Sequence, residues 1–152
     1  EGTLTEDPNV VLNECAGVLQ YAQTVFEGLK AYTTEDGHIV TFRPDLNAER
    51  MMDSAARLEM PVFPKEKFID AVNKVVAANA AYVPPYGSGA TLYIRPYMFG
   101  SNPVIGVKPA DEYQFRMFCT PVGPYFKGGA KPITVKISDF DRAASLKLDT
   151  YR

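Results

Sequence analysis

Apolar and polar positions change period several times along the chain, and each change marks an element. From Thr24 to Phe42, two β-rich runs, TVFEGLKAY and HIVTF, flank TTEDG, whose Asp36-Gly37 pair supplies a hairpin turn. The run RPDLNAERMMDSAARLEMP then takes a helical period. Asp45 is its N-cap, Leu46, Met52, Ala55, Ala56 and Glu59 trace two faces, and Pro61 ends it. A second helix begins at Pro64, a first-turn proline followed by Lys65 and Glu66. Phe68, Val72, Val75, Val76 and Asn79 recur at helical spacing until Pro84-Pro85 stops the pattern. Three further strand candidates come next: YGSGATLYIRPYMFG, EYQFRMFCTPVGPYF and KPITVKIS, split by loops bearing glycine and proline.

One stretch fits neither period. LQYAQTVFEGLKAYT, read as a strand, carries Tyr21, Phe26, Glu27 and Lys30 around Gly28, where a core strand would alternate. An apolar run broken by glycine and charges suits a segment that lines something.

Like elements are grouped rather than alternated, strands then helices then strands. The class this predicts is α+β, a largely antiparallel sheet with two main helices. At 152 residues the chain fits one domain with a real core. The boundaries expected are 1–140 for that domain and 141–152 for an interdomain linker or the remnant of a larger domain. The opening, EGTLTEDP, lacks Met, as though cut from something longer, and it is not a signal peptide.

Charge narrows the partners. A net charge of −2, with basic residues scattered, gives no electrostatic case for nucleic acid or an anionic membrane, and no run approaches a membrane span. The cysteines, Cys15 and Cys119, are far apart and share no metal-type spacing. They read as structural thiols of a cytoplasmic protein, with a disulfide or a reactive thiol as alternatives. His38 is the only histidine and sits beside the turn, so it reads as a solvated hairpin residue. Mechanisms needing two histidines are excluded. No glycine pattern matches a phosphate loop, no serine has a histidine partner, and no metal site is expected.

Tyr93 and Arg95 are the candidate chemistry. Spaced two apart on a strand, they point to one face. An arginine in an otherwise apolar strand is costly to bury unless it meets an acceptor. Such a pair suits a site taking both apolar and carboxylate-bearing ligands; the alternative is a salt bridge at a sheet edge. Arg50, on the first helix, reads by spacing alone as a solvated surface residue.

Several motifs together resemble a known family. YAQTVFEGLKAY, FRPDLNAERM, VPPYGSGATLYIRPYMFG, IGVKPADEY and CTPVGPYFKGG are similar to branched-chain amino acid aminotransferases, fold type IV enzymes that use pyridoxal 5'-phosphate. The likeness covers nearly all of residues 1–144 and implies the family's smaller N-terminal domain. It implies that Arg50 grips the cofactor phosphate, reversing the surface reading. Phe26 and Tyr93 would wall the pocket for a branched side chain. Arg95, with Tyr125 nearby, would receive the side-chain carboxylate of glutamate or 2-oxoglutarate. Tyr21, Ile105 and Val107 would reach a neighbouring subunit's site, as in a homodimer. The implied partners are thus amino acid and 2-oxo acid substrates, in cytoplasmic amino-acid biosynthesis. Other fold type IV enzymes, such as a D-amino acid aminotransferase or aminodeoxychorismate lyase, share the scaffold, and a truncated dimerisation module is a further alternative.

One departure stands out. In the family, DFDRAA leads into a Gly-rich linker and then the cofactor-bearing lysine. Here Ala143-Ala144 runs straight into Ser145-Leu146-Lys147, which resembles the family's chain just beyond that lysine. Lys147 is therefore not assigned as the catalytic lysine, and none is expected in this chain.

Overall fold

The computed structural model describes residues 2–124, 129, 131–137 and 139. The elements run α1 Gly17–Tyr21, β1 Thr24–Phe26, β2 Leu29–Thr33, β3 Ile39–Thr41, α2 Pro44–Arg57, α3 Lys65–Ala78, a 3-10 turn Ala80–Tyr82, β4 Thr91–Gly100 and β5 Tyr113–Val122. All strands join one five-stranded sheet, and each pairing is antiparallel. The architecture is α+β, as the grouping of elements predicts.

The hairpin forms where expected. Thr34 N donates to His38 O at 2.8 Å, and Gly37 takes φ 85°, a conformation that favours glycine. His38 stands in solvent beside Asp36, its side chain 76% exposed. The first strand, however, is divided. β1 and β2 run opposite β4 in one register, Phe26 facing Tyr97 and Leu29 facing Ile94, so Glu27 and Gly28 fall opposite Pro96 and Arg95. Glu27 N donates to Pro96 O at 2.9 Å, but Pro96 has no N–H to return the bond. The ladder breaks at this point.

Tyr21 is not on that strand. It ends α1, whose chain reverses at Ala22 with φ 53°. A five-residue helix is too short to display a period. Helix α2 starts after Arg43, a left-handed residue, with Pro44 at its first position. Asp45 is thus no N-cap: it lies in the first turn, and its carboxylate accepts from Arg43 Nη2 at 2.7 Å. The buried face of α2 is Asn47, Ala48, Met51 and Ala55, while Leu46 is exposed. Helix α3 keeps its predicted stripe of Phe68, Val72 and Val76, with Pro64 as its N-cap.

The anticipated strand in KPITVKIS does not form over 131–137. Its alternation is genuine, but Ile133, Val135 and Ile137 lie exposed, and among the described residues no strand lends it a ladder. Residues 141–152 lie outside the described residues.

The sheet's two faces differ. Leu29, Ala31, Leu92, Ile94 and Met98 pack on Ala48, Met51, Phe68 and Val72 of the helices, forming the core. The opposite face of β4 presents Tyr93, Arg95 and Tyr97, with Phe26, Phe118 and Thr120 beside them on the neighbouring strands. No helix of the described residues covers it: Phe26 is 61% and Phe118 51% exposed. Among the described residues, no helix is long and apolar enough to cross a membrane.

Candidate functional site

The uncovered face is built by period and register. Odd positions of β4 point away from the core, so Tyr93 and Arg95 share this face, as their spacing predicts. Cross-strand pairing sets Phe26 opposite Tyr97 and Phe118 opposite Arg95. The aromatics link up: Tyr97 stacks on Phe99 at 5.7 Å between centroids and meets Phe118 edge-on at 6.0 Å.

Arg95 lies among these rings. Its guanidinium carbon is 4.3 Å from the Phe26 ring centre and 5.2 Å from that of Tyr93. Its Nη2 and Nε donate to Tyr93 Oη at 2.6 and 3.1 Å. The salt-bridge alternative is not what forms. β4 is an interior strand, and among the described residues Arg95 has no carboxylate partner. A half-buried guanidinium flanked by rings and, among the described residues, hydrogen-bonded only to a phenol can still take an anion.

Gly28 makes room for this arrangement, because a β-carbon there would collide with Tyr93 Oη. A cleft of about 260 Å³ opens beside it, lined by Gly28, Lys30, Tyr32, Phe42, Asn47 and Tyr93.

A second cation is anchored one residue away. Arg50 Nε donates to Glu27 Oε1 at 3.1 Å and its Nη2 to Glu27 Oε2 at 2.7 Å. The Glu27 side chain is 10% exposed and that of Arg50 61%. Asn47 Nδ2 completes the junction, donating to Glu27 Oε2 at 2.8 Å and Gly28 O at 3.2 Å. The hydrogen bonds and charge of Glu27 raise the Arg50 pKa above its ordinary value. Glu27-Gly28 therefore holds both cations, one through a carboxylate and one through missing bulk.

Phe26, Tyr93 and Arg95 thus come together, and Arg50 joins them through the same dipeptide. Tyr21, Ile105 and Val107 stand apart. Tyr21 ends α1, and the others lie on the loop after β4, 61% and 92% exposed. Gln23 ties that loop back: its Oε1 accepts from Ala110 N at 3.1 Å, and its backbone carbonyl accepts from Gly100 N at 3.1 Å. Tyr125 lies outside the described residues, as does Lys147. Sequence reasoning missed the partners Glu27 and Asn47; the only available signal was the charge beside Gly28. Cys15 and Cys119 are free thiols, and burial pushes the Cys119 thiol up. Among the described residues, no three acidic, histidine or cysteine side chains converge as a metal site would need.

No family model matches the chain. Individual proteins do. A branched-chain-amino-acid aminotransferase of Haemophilus influenzae is 51% identical over 146 residues, 96% of this chain and 43% of that protein. One of Mycolicibacterium smegmatis is 45% identical over 129 residues, covering 85% and 35% respectively. Among solved structures, a T.th. branched-chain amino acid aminotransferase complexed with N-(5'-phosphopyridoxyl)-L-glutamate aligns with a TM-score of 0.65 at 26% identity, over 78% of this chain and 38% of that one. A branched-chain aminotransferase from Thermoproteus uzoniensis with norvaline aligns at 0.62 and 26%, over 80% and 38%. The chain spans less than half the length of each of these relatives.

Proposed function

We propose, from the premise that this chain belongs to the branched-chain-amino-acid aminotransferase family, that it is the small N-terminal part of such an enzyme. The whole enzyme would move the amino group of leucine, isoleucine or valine to 2-oxoglutarate, using pyridoxal 5'-phosphate. The observation that carries this reading is Arg95 held between Phe26 and Tyr93 on an open sheet face. Branched side chains need apolar walls, and glutamate needs a cation reached through the same opening. One cluster offers both.

The residues present fit the cofactor. Arg50 keeps both Nη1 hydrogens and one on Nη2 without a partner among the described residues, at an exposed site, suited to a phosphate. Pyridoxal phosphate, when bound, supplies the electron sink that makes the substrate α-proton removable. This chain's share is binding and orientation. Arg50 would hold the phosphate, Phe26 and Tyr93 would exclude water from the substrate side chain, and Arg95 would take the second carboxylate of glutamate. A lysine from the remainder of the enzyme would move the proton. Tyr125 would line the same pocket beside Arg95. Tyr21, Ile105 and Val107 would meet the partner subunit of a homodimer, working in the cytoplasm in amino-acid biosynthesis.

An amino-donor panel on the whole enzyme tests this reading. Leucine, isoleucine and valine should all support transfer to 2-oxoglutarate, and the 152-residue chain alone should turn over none of them. Preference for D-amino acids, or turnover by the isolated chain, would contradict it.

A further inference from the structure

We infer that Glu27 is a positioning residue, which aims the Arg50 guanidinium at an anion by bonding one of its edges. The inference rests on the reading of Arg50 as the phosphate-binding residue, and adds what makes that arginine competent.

The geometry is asymmetric. The Glu27 carboxylate is 10% exposed whereas the Arg50 side chain is 61% exposed. A solvated ion pair would leave both ends in water and hold neither firmly. Here the carboxylate is fixed first. It sits at the break in the sheet opposite Pro96, where Glu27 N donates to Pro96 O at 2.9 Å, and it accepts from Asn47 Nδ2 at 2.8 Å. The fixed carboxylate then takes Nε and Nη2 of Arg50 side by side, at 3.1 and 2.7 Å. Two parallel bonds fix a planar guanidinium in rotation as well as position. Its remaining N–H groups point away from the carboxylate. An arginine carried on helix α2 without this clamp would sample many rotamers, and a bound anion would have to order it.

A brace between sheet and helix is the competing role. Asn47 already provides one, joining α2 to Glu27 and to Gly28 O at 3.2 Å. A brace alone would affect folding and not distinguish one ligand from another. A positioning residue acts only on the ligand group that its arginine holds.

The test compares binding of pyridoxal phosphate with that of pyridoxal, which lacks the phosphate. Apoenzyme of the whole protein is titrated with each, by absorbance, for the parent, Glu27→Gln, Arg50→Ala and the double variant. Melting of each apoenzyme reports folding. Gln turns an NH2 group toward the donors of Arg50 and Asn47, so it breaks the paired contact while keeping the size. Glu27→Gln should weaken pyridoxal phosphate by about tenfold or more, a loss usual when the group orienting a binding side chain is removed. Pyridoxal binding should stay unchanged, and the double variant should bind no worse than Arg50→Ala, because both act through one contact. Unchanged phosphate binding in Glu27→Gln, with loss in Arg50→Ala, overturns the role of Glu27 alone. Equal losses for both ligands overturn it too. Unchanged binding in Arg50→Ala instead removes the phosphate role of Arg50 on which the inference rests. If Glu27→Gln does not fold, Glu27→Asp, too short to reach both nitrogens, is read by the same criteria.

Discussion

Tyr93 Oη occupies the space in which a β-carbon on Gly28 would have to sit. The phenol lies across the neighbouring strand and from there accepts two hydrogen bonds from Arg95. The break that Pro96 forces in the ladder therefore has a consequence for the site. It frees the backbone at Glu27-Gly28 to admit an aromatic side chain from β4 on one face and a carboxylate contact on the other.

Gly28→Ala touches both stability and function. The phenol oxygen and the ring edge of Tyr93 must both give way, so the fold loses about 1–3 kcal/mol in urea unfolding. The Tyr93–Arg95 contact must open, and KM for 2-oxoglutarate in the whole enzyme should rise with kcat less affected. A KM equal to that of the parent would show that the contact does not matter.

Phe26→Ala removes the ring under the Arg95 guanidinium and an apolar wall together. A cation–π contact of this kind contributes about 0.5–2 kcal/mol. Initial-rate kinetics should therefore show kcat/KM for glutamate falling by roughly 2- to 30-fold. The ring is 61% exposed, so thermal stability should hardly move.

The fold was legible where the signal is local. The hairpin turn rests on Asp36-Gly37, and the stripe of Phe68, Val72 and Val76 shows in any helical reading. The shared face of Tyr93 and Arg95 needs only the period of a strand. What was hidden depends on register or on partners. Glu27 meets Arg50 across 23 positions of sequence, through a pairing that no local pattern announces. The alternation of Ile133, Val135 and Ile137 promised a strand, and among the described residues no neighbour pairs with it. Arg50 looked like a surface residue by spacing, and by exposure it is one; its bound edge distinguishes it.

Asp45 gives a pH signature. Hydrogen bonding to Arg43 lowers its pKa to about 2 in the fold, against about 3.9 for an unfolded carboxyl. A depressed folded pKa contributes stability that is full above pH of about 4 and disappears as pH falls through about 2. The difference in urea midpoint between the parent and Asp45→Asn should follow that course. A difference constant across that range would contradict the assignment.

Leu92→Ala should cost about 2–5 kcal/mol in urea unfolding, because the side chain is fully buried against the helices. Val11→Ala, at a residue 90% exposed, should stay within about 0.5 kcal/mol. Similar losses at both positions would mean that the core is wrongly placed.

In the proposed reading, the guanidinium at position 95 lets one pocket serve two kinds of side chain. The most direct measurement is the ratio of kcat/KM for glutamate to that for leucine, in the whole enzyme carrying Arg95→Lys. Lysine keeps the charge but loses the planar paired contact, so the ratio should fall by roughly 10- to 100-fold, the loss falling on glutamate. An unchanged ratio, whether both rates hold or both collapse together, would contradict it.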